Sequence, residues 1–257
     1  MLAKSFNIFG LEVTYYGLLM GVGFILAFFI VRYLLKKRRE LKPEITLDLL
    51  LIIFPLSIIG ARLYFVLFSG RSWSFLEILS VWDGGLAIYG GIIGGLLGVV
   101  IYGLVKKINI LKITDAIAPA LILAQGIGRI GCYFSGCCFG IEVTNPNLMW
   151  FPFATEIGGV WHYSTYFYES LWNIIGFIIL FIVYNKVKQN GLTTGLYLSF
   201  YGLGRFLIEG IRGDSLYIGS LKVSQVLSLI LFLIGIAVVV CSFVYKKRQK
   251  YEQKQNT

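Results

Sequence analysis

Apolar residues in this chain fall in long, nearly unbroken runs, without the one-face stripes or strict alternation of a soluble fold. A helix needs about 20 apolar residues to cross the hydrocarbon core of a bilayer. Seven such windows can be read, at 14–35, 46–68, 86–105, 115–134, 165–185, 192–210 and 222–245. No Ser/Gly linker divides them and no internal repeat is evident. The pattern therefore predicts an all-α, polytopic membrane protein, a single transmembrane domain over 1–257 with seven transmembrane helices and small interfacial outer loops. The longest loop, about 135–164, carries Trp150, Phe151, Pro152, Phe153 and Trp161 and is expected to lie as an arm at the interface. The first window lacks the small-residue cleavage site of a secretory signal and is expected to be a mature helix. Gly90, Gly94 and Gly98 share one face of the third span and predict a close helix–helix approach.

Composition agrees with this reading and narrows it. Hydrophobic residues make up 57% of the 257-residue chain, charged residues 14%, and the mean hydropathy is +0.79. Such a balance excludes a water-soluble enzyme, a disordered chain and a disulfide-stapled secreted module. The formal net charge of +10 does not point to nucleic acid, because the basic residues flank the apolar runs in short clusters and form no contiguous face. These clusters are Lys36, Lys37, Arg38 and Arg39; Lys106, Lys107 and Lys112; Lys186 and Lys188; and Lys246, Lys247, Arg248, Lys250 and Lys254. With the N-terminus outside and the C-terminus cytoplasmic, fifteen of the 23 Lys and Arg residues fall on the inner side and four on the outer side. That bias predicts the orientation.

Four arginines lie within the runs. Arg32 is near an end and can snorkel. Arg62, Arg129 and Arg205 are deeper, at a cost of roughly 2.5–3.5 kcal/mol each on insertion scales. In the predicted orientation all three sit about five or six residues from the outer end of their spans, together with Tyr15, Tyr16, Tyr89, Tyr168, Glu169 and Glu209. Arg205, Glu209 and Arg212 follow at i, i+4 and i+7 and share a helix face. Arg62, Arg129, Arg205 and Arg212 outnumber Glu169 and Glu209 at this level. An internal ion-pair network would leave positive charge uncompensated, so an anionic partner is expected, and a lipid phosphate at outer-leaflet depth suits arginine's planar fork.

Several stretches are also similar, in order along the chain, to motifs of one family. Gln125-Gly-Ile-Gly-Arg129-Ile-Gly131-Cys132-Tyr-Phe-Ser135-Gly136-Cys137-Cys138-Phe139-Gly140 resembles the G-R-x-G-N-F-x-N-x-E…G signature of bacterial phosphatidylglycerol–prolipoprotein diacylglyceryl transferases. Tyr15-Tyr16-Gly17, Gly60-Ala61-Arg62-Leu63 and Trp82-Asp83-Gly84-Gly85 through Tyr89-Gly90-Gly91 resemble further motifs of that family. So do Ser164-Thr165 with Tyr168-Glu169, Tyr201-Gly202 through Arg205, Glu209 and Arg212, and Ser224-Gln225 with Ser228. In this chain Cys132, Ser135 and Cys137 stand where the signature has Asn, Asn and Glu.

The resemblance implies an enzyme that transfers diacylglycerol from phosphatidylglycerol to the lipobox cysteine of a preprolipoprotein, without cofactor or metal. The setting it implies is the bacterial cytoplasmic (inner) membrane, multi-pass. On this reading Arg129 and Arg205 hold and polarise the phosphate, Glu209 orients Arg205, and Tyr16 and Tyr89 contact the headgroup or relay a proton. Arg62, Gly140, Glu169 and Arg212 contribute to substrate binding. Two other classes remain open: a non-catalytic relative that binds the lipid or lipoprotein, suggested by the cysteine replacements, and a lipid or anion transporter. Cys132, Cys137 and Cys138 are poorly spaced for a metal and His162 is the sole histidine, so they are read as polar substitutes or small inert residues, with a disulfide as an alternative. Cys241 is read as packing, and His162 as an interfacial residue.

Overall fold

The structure, a computed structural model, describes residues 4–8, 11–38, 41–213, 215, 217–219 and 221–255. Arg39 of the first basic cluster lies outside them. Each of the seven apolar windows is helical: α1 (Tyr15–Arg38), α2 (Ile45–Phe68), α4 (Ile88–Val105), α5 (Ile110–Ser135), α6 (Thr165–Lys186), α7 (Leu192–Glu209) and α8 (Val223–Gln255). A short α3 (Phe75–Leu79) lies between α2 and α4. Among the described residues six helices are long and apolar enough to cross a bilayer, and the chain is a mostly helical, multi-pass membrane protein. The remaining expected span, α7, is helical where predicted but is not among the six. Its 18 residues include Thr193, Thr194, Ser199, Arg205 and Glu209, which lower its hydropathy.

Among the described residues, three two-stranded antiparallel sheets supplement the helices: β1 (Ser5–Ile8) with β2 (Leu11–Thr14), β3 (Ala154–Ile157) with β4 (Val160–Tyr163), and β5 (Tyr217–Ile218) with β6 (Leu221–Lys222). The all-α expectation did not include them. Strands of two to four residues are too short for their alternation to stand out beside 20-residue apolar runs.

The chain divides into two compact units, residues 1–34 with 115–257, and residues 35–114. In the smaller unit, α2 and α4 pack along the glycine face expected from the sequence. A Cβ added at Gly94 would lie 2.1 Å from the Leu56 carbonyl oxygen, and one at Gly90 would lie 2.2 Å from that of Gly60. Backbone against backbone at this range is how membrane helices gain dispersion energy without a hydrophobic driving force. Tyr102 donates to Asp48 Oδ2 at 2.9 Å in the same unit.

In the larger unit, α6 packs on α7 and α7 on α8. Asp115 of α5, fully buried, accepts from the backbone N–H groups of Gly191 at 2.6 Å and Thr194 at 2.7 Å, and from Thr194 Oγ1 at 2.7 Å. A carboxylate from a neighbouring helix thus caps the N-terminus of α7, where the macrodipole favours negative charge. At the other end of α7, Lys222 Nζ donates to the carbonyls of Glu209 at 2.7 Å, Arg212 at 3.2 Å and Gly210 at 3.3 Å. Both ends of this polar helix are therefore closed by charged side chains of matching sign.

Candidate active site

Four segments of the larger unit carry the site. Arg129 lies in the last two turns of α5, Glu169 in the first turns of α6, Arg205 and Glu209 in the last turns of α7, and Arg212 just beyond α7. Glu169, 4% exposed, is the centre of the cluster. Its Oε1 takes Arg205 Nη1 at 2.5 Å and Arg212 Nη1 at 3.4 Å, and its Oε2 takes Arg129 Nε at 2.7 Å. Glu209 Oε2 lies 2.9 Å from Arg205 Nη2 and 3.9 Å from Arg212 Nε. The Arg205–Glu209–Arg212 face expected from helical spacing is present. That Glu169, on another helix, binds all three arginines was not legible from i, i+4 spacing, which sees only local neighbours.

The arginines are not equivalent. Arg205 is pinned between two carboxylates, and the Arg212 side chain is 8% exposed; Arg129 is the most open, at 22%. Its Nε is committed to Glu169, while its Nη1 points to Cys138 Sγ at 3.6 Å. Counted against the two carboxylates alone, three guanidiniums leave one formal positive charge, smaller than the sequence surplus of four to two. The difference is Arg62, which belongs to the other unit. An ionised Cys138 thiol beside Arg129 offsets the one charge that remains.

Arg62, 5% exposed, donates through Nε to the Ile78 carbonyl at 3.1 Å, through Nη1 to those of Gly84 at 2.6 Å and Gly85 at 3.1 Å, and through Nη2 to that of Glu77. Its fork, expected to face an anion, is engaged by main-chain carbonyls at the end of α3 and in the following turn. They compensate its buried charge as a ligand would. Tyr89 also lies in the smaller unit, 40% exposed at the start of α4, with its ring 6.2 Å from that of Tyr64.

Tyr16, at the start of α1, packs on Gly131, where an added Cβ would come within 2.9 Å of its ring. Gly140 is closely packed. It pairs with Arg212 in an isolated antiparallel bridge, its N–H donates to Tyr163 O at 2.9 Å, and an added Cβ would lie 2.6 Å from Tyr163 Cβ. His162 Nδ1 donates to the Gly140 carbonyl at 3.1 Å.

The turn after α5 brings together residues that spacing had set aside. Gly136 (φ 67°) closes the helix with its N–H on Tyr133 O at 3.3 Å, while the Cys137 N–H donates to Cys132 O at 3.1 Å, the paired bonds of a Schellman ending. Cys138 follows in the left-handed region at φ 64°, rare for a residue with a side chain, and Thr165 Oγ1 holds its carbonyl at 2.6 Å. The chain doubles back, and the sulfurs of Cys132, Cys137 and Cys138 all come within 4.8 Å of one another. A hydrogen bond from Cys132, with the Arg212 and Arg129 guanidiniums, holds the Cys138 thiol well below its ordinary value, at about 5. Burial pushes the Cys137 thiol up.

Beside this turn, Ile130, Tyr133 and Phe134 of α5, the β3–β4 hairpin, and Tyr166 and Phe167 of α6 line a cavity of about 600 Å³. Its walls are mostly aromatic, and Thr155 reaches Ser164 Oγ at 2.6 Å and Tyr166 OH at 3.0 Å behind them.

The profile of the family described as Prolipoprotein diacylglyceryl transferase matches residues 3–241. The chain belongs to that family. It is 41% identical to Phosphatidylglycerol--prolipoprotein diacylglyceryl transferase 1 of Clostridium perfringens over 254 residues, 96% of this chain and 97% of the relative. It is 40% identical to the Streptococcus agalactiae transferase, covering 83% of this chain and 84% of the relative, and 38% identical to that of Listeria monocytogenes, covering 92% and 88%. Within the family's G-R-x-G run, the structure gives both glycines a reason. A Cβ at Gly128 would come within 2.9 Å of Met20 Sδ, and Gly131 admits Tyr16. Arg129 between them is thereby fixed in depth against α1.

Proposed function

We propose that this chain transfers the diacylglyceryl group of phosphatidylglycerol to the lipobox cysteine thiol of a preprolipoprotein, in a bacterial cytoplasmic membrane, with its N-terminus outside and its C-terminus in the cytoplasm. The names of its relatives supply the substrates. The observation that carries the chemistry is the state of Arg129: held by one nitrogen on a buried carboxylate, and the most open of the three guanidiniums gathered there.

Thiol sulfur attacks the glycerol carbon that bears the phosphate. The C–O bond breaks, its electron pair leaves on the phosphate oxygen, and glycerol phosphate departs while the thiol proton passes to water. Negative charge grows on the departing phosphate, and a fixed guanidinium in a low-dielectric site stabilises it without reorganising. Arg205 and Arg212, tied to Glu169 and Glu209, add field and hold the carboxylate that aims Arg129. The aromatic cavity beside the turn suits an acyl chain or the apolar part of the acceptor's signal segment.

Transfer of labelled diacylglycerol tests the role of Arg129. Arg129→Lys keeps the charge but loses the fork, and we expect a fall of about 10²-fold or more; near-normal transfer would remove the proposed role. The cysteines at signature positions favour a second reading, a relative that binds without turnover. Complementation of a strain depleted of its own transferase separates the two, since only the enzyme restores growth.

A further inference from the structure

We infer that Cys132, Cys137 and Cys138 form a three-thiolate site for a zinc ion whose fourth coordination position receives the acceptor's cysteine as a thiolate. The inference rests on the transferase reading and adds to it the means by which the nucleophile is made.

The first observation is geometric. Zinc binds thiolates at about 2.3 Å in a tetrahedron, which requires sulfurs roughly 3.8 Å apart. Here Cys137 and Cys138 Sγ are 3.6 Å apart, and all three sulfurs lie within 4.8 Å of one another. Small rotations of side chains complete the arrangement. The backbone is already set for it by the Schellman ending at Gly136, the left-handed Cys138 and the Thr165 hydrogen bond to its carbonyl.

The second observation concerns what is missing from the ligand set. Among the described residues, no His, Asp, Glu or further Cys joins the group. Structural zinc sites are closed by four protein ligands, whereas catalytic ones keep a position for water or substrate. A three-cysteine set is of the second kind.

The third observation is place. Arg129 Nη1 lies 3.6 Å from Cys138 Sγ, so the sulfur cluster adjoins the guanidinium assigned to the leaving phosphate. Nucleophile and leaving group would then be handled by adjacent parts of one site. The guanidinium also offsets negative charge on a zinc–thiolate centre.

The chemistry balances without a redox step. The acceptor thiol binds zinc and releases its proton to water, as a coordinating thiol is deprotonated outright. Its sulfur forms the C–S bond to the glycerol carbon as the C–O bond to phosphate breaks, the electron pair leaving with glycerol phosphate. The thioether product is neutral and a weak zinc ligand, so it departs and the site reopens. A free cysteine is only a few per cent thiolate at pH 7.

The test uses the full-length chain in detergent, reduced and purified without chelators. Metal analysis is expected to find one zinc per chain, lost in Cys132→Ser, Cys137→Ser and Cys138→Ser and retained in Cys241→Ser. In the unmutated protein, Co²⁺ replacing zinc should give thiolate-to-cobalt charge-transfer absorption. This should change on adding a lipobox peptide with cysteine but not the same peptide with serine, a readout independent of how the variants fold. Chelation should lower transfer about 30-fold, the ratio of full ionisation to that of a free thiol, and zinc should restore it. Full transfer by metal-free protein, no cobalt–thiolate absorption, or a disulfide among the three cysteines in the active enzyme would each overturn the zinc site while leaving the transferase reading intact. Zinc bound as expected, with no transfer at any zinc level, would instead overturn the transferase reading.

Discussion

Replacing Glu169 by Gln keeps the side-chain volume and removes one negative charge from beneath three guanidiniums. Those guanidiniums lie 2.5, 2.7 and 3.4 Å from its oxygens, and the side chain is 5% exposed. At an effective dielectric of about 20, each attraction is roughly 5 kcal/mol before desolvation is counted. Taking one partner from a buried ion pair typically costs about 3–5 kcal/mol net. Here three cations would be left to Glu209 alone, and we expect a loss of about 4 kcal/mol in equilibrium unfolding followed in mixed micelles. Adding Arg212→Gln restores the original surplus of one positive charge and should recover about 2 kcal/mol, a non-additivity expected of groups in one network. Glu169→Gln within about 1 kcal/mol of the parent, or a double variant showing the plain sum of its parts, would refute the shared-carboxylate account.

Other outcomes follow from separate parts of the molecule. Gly94→Ala places a Cβ 2.1 Å from the Leu56 carbonyl and should destabilise by about 2–3 kcal/mol; Gly21→Ala, with nothing within 4 Å, should stay within about 0.5 kcal/mol in the same unfolding measurement. Asp115→Ala strips the cap from α7 and leaves buried donors unmet, for an expected loss of about 3 kcal/mol, with Asp115→Asn between it and the parent. Arg62→Gln frees four carbonyls of residues 77–85, and limited proteolysis there should speed by about tenfold or more.

Hydropathy located the helices well because the bilayer imposes one strict length on every span. The glycines at 90 and 94 were legible for a similar reason: a face of small residues four apart has few uses but close approach. The charged residues were legible only as anomalies. Arg62 and Arg129 stand in equally apolar surroundings, yet one donates to carbonyls 15–23 residues ahead in sequence while the other meets a carboxylate forty residues on. Nothing local distinguishes them, since a buried charge states that a partner is needed without naming it. The closeness of the three cysteine sulfurs was not legible in linear spacing, because Gly136 and a left-handed Cys138 reverse the chain between them. The capping role of Asp115 was not legible because the helix end it serves lies 76–79 residues away.

The long connection between α5 and α6 leaves and returns at a single knot. Ile141 N–H bonds to Ile211 O at 2.9 Å, and Tyr163 N–H bonds to Ile141 O at 3.2 Å. Farther out the connection also rests on α6: the Phe151 ring lies 4.9 Å from that of Phe167, and Tyr168 OH donates to the Phe153 carbonyl. The connection is therefore tied at its base to the segment that carries Arg212 and along its length to the helix that carries Glu169.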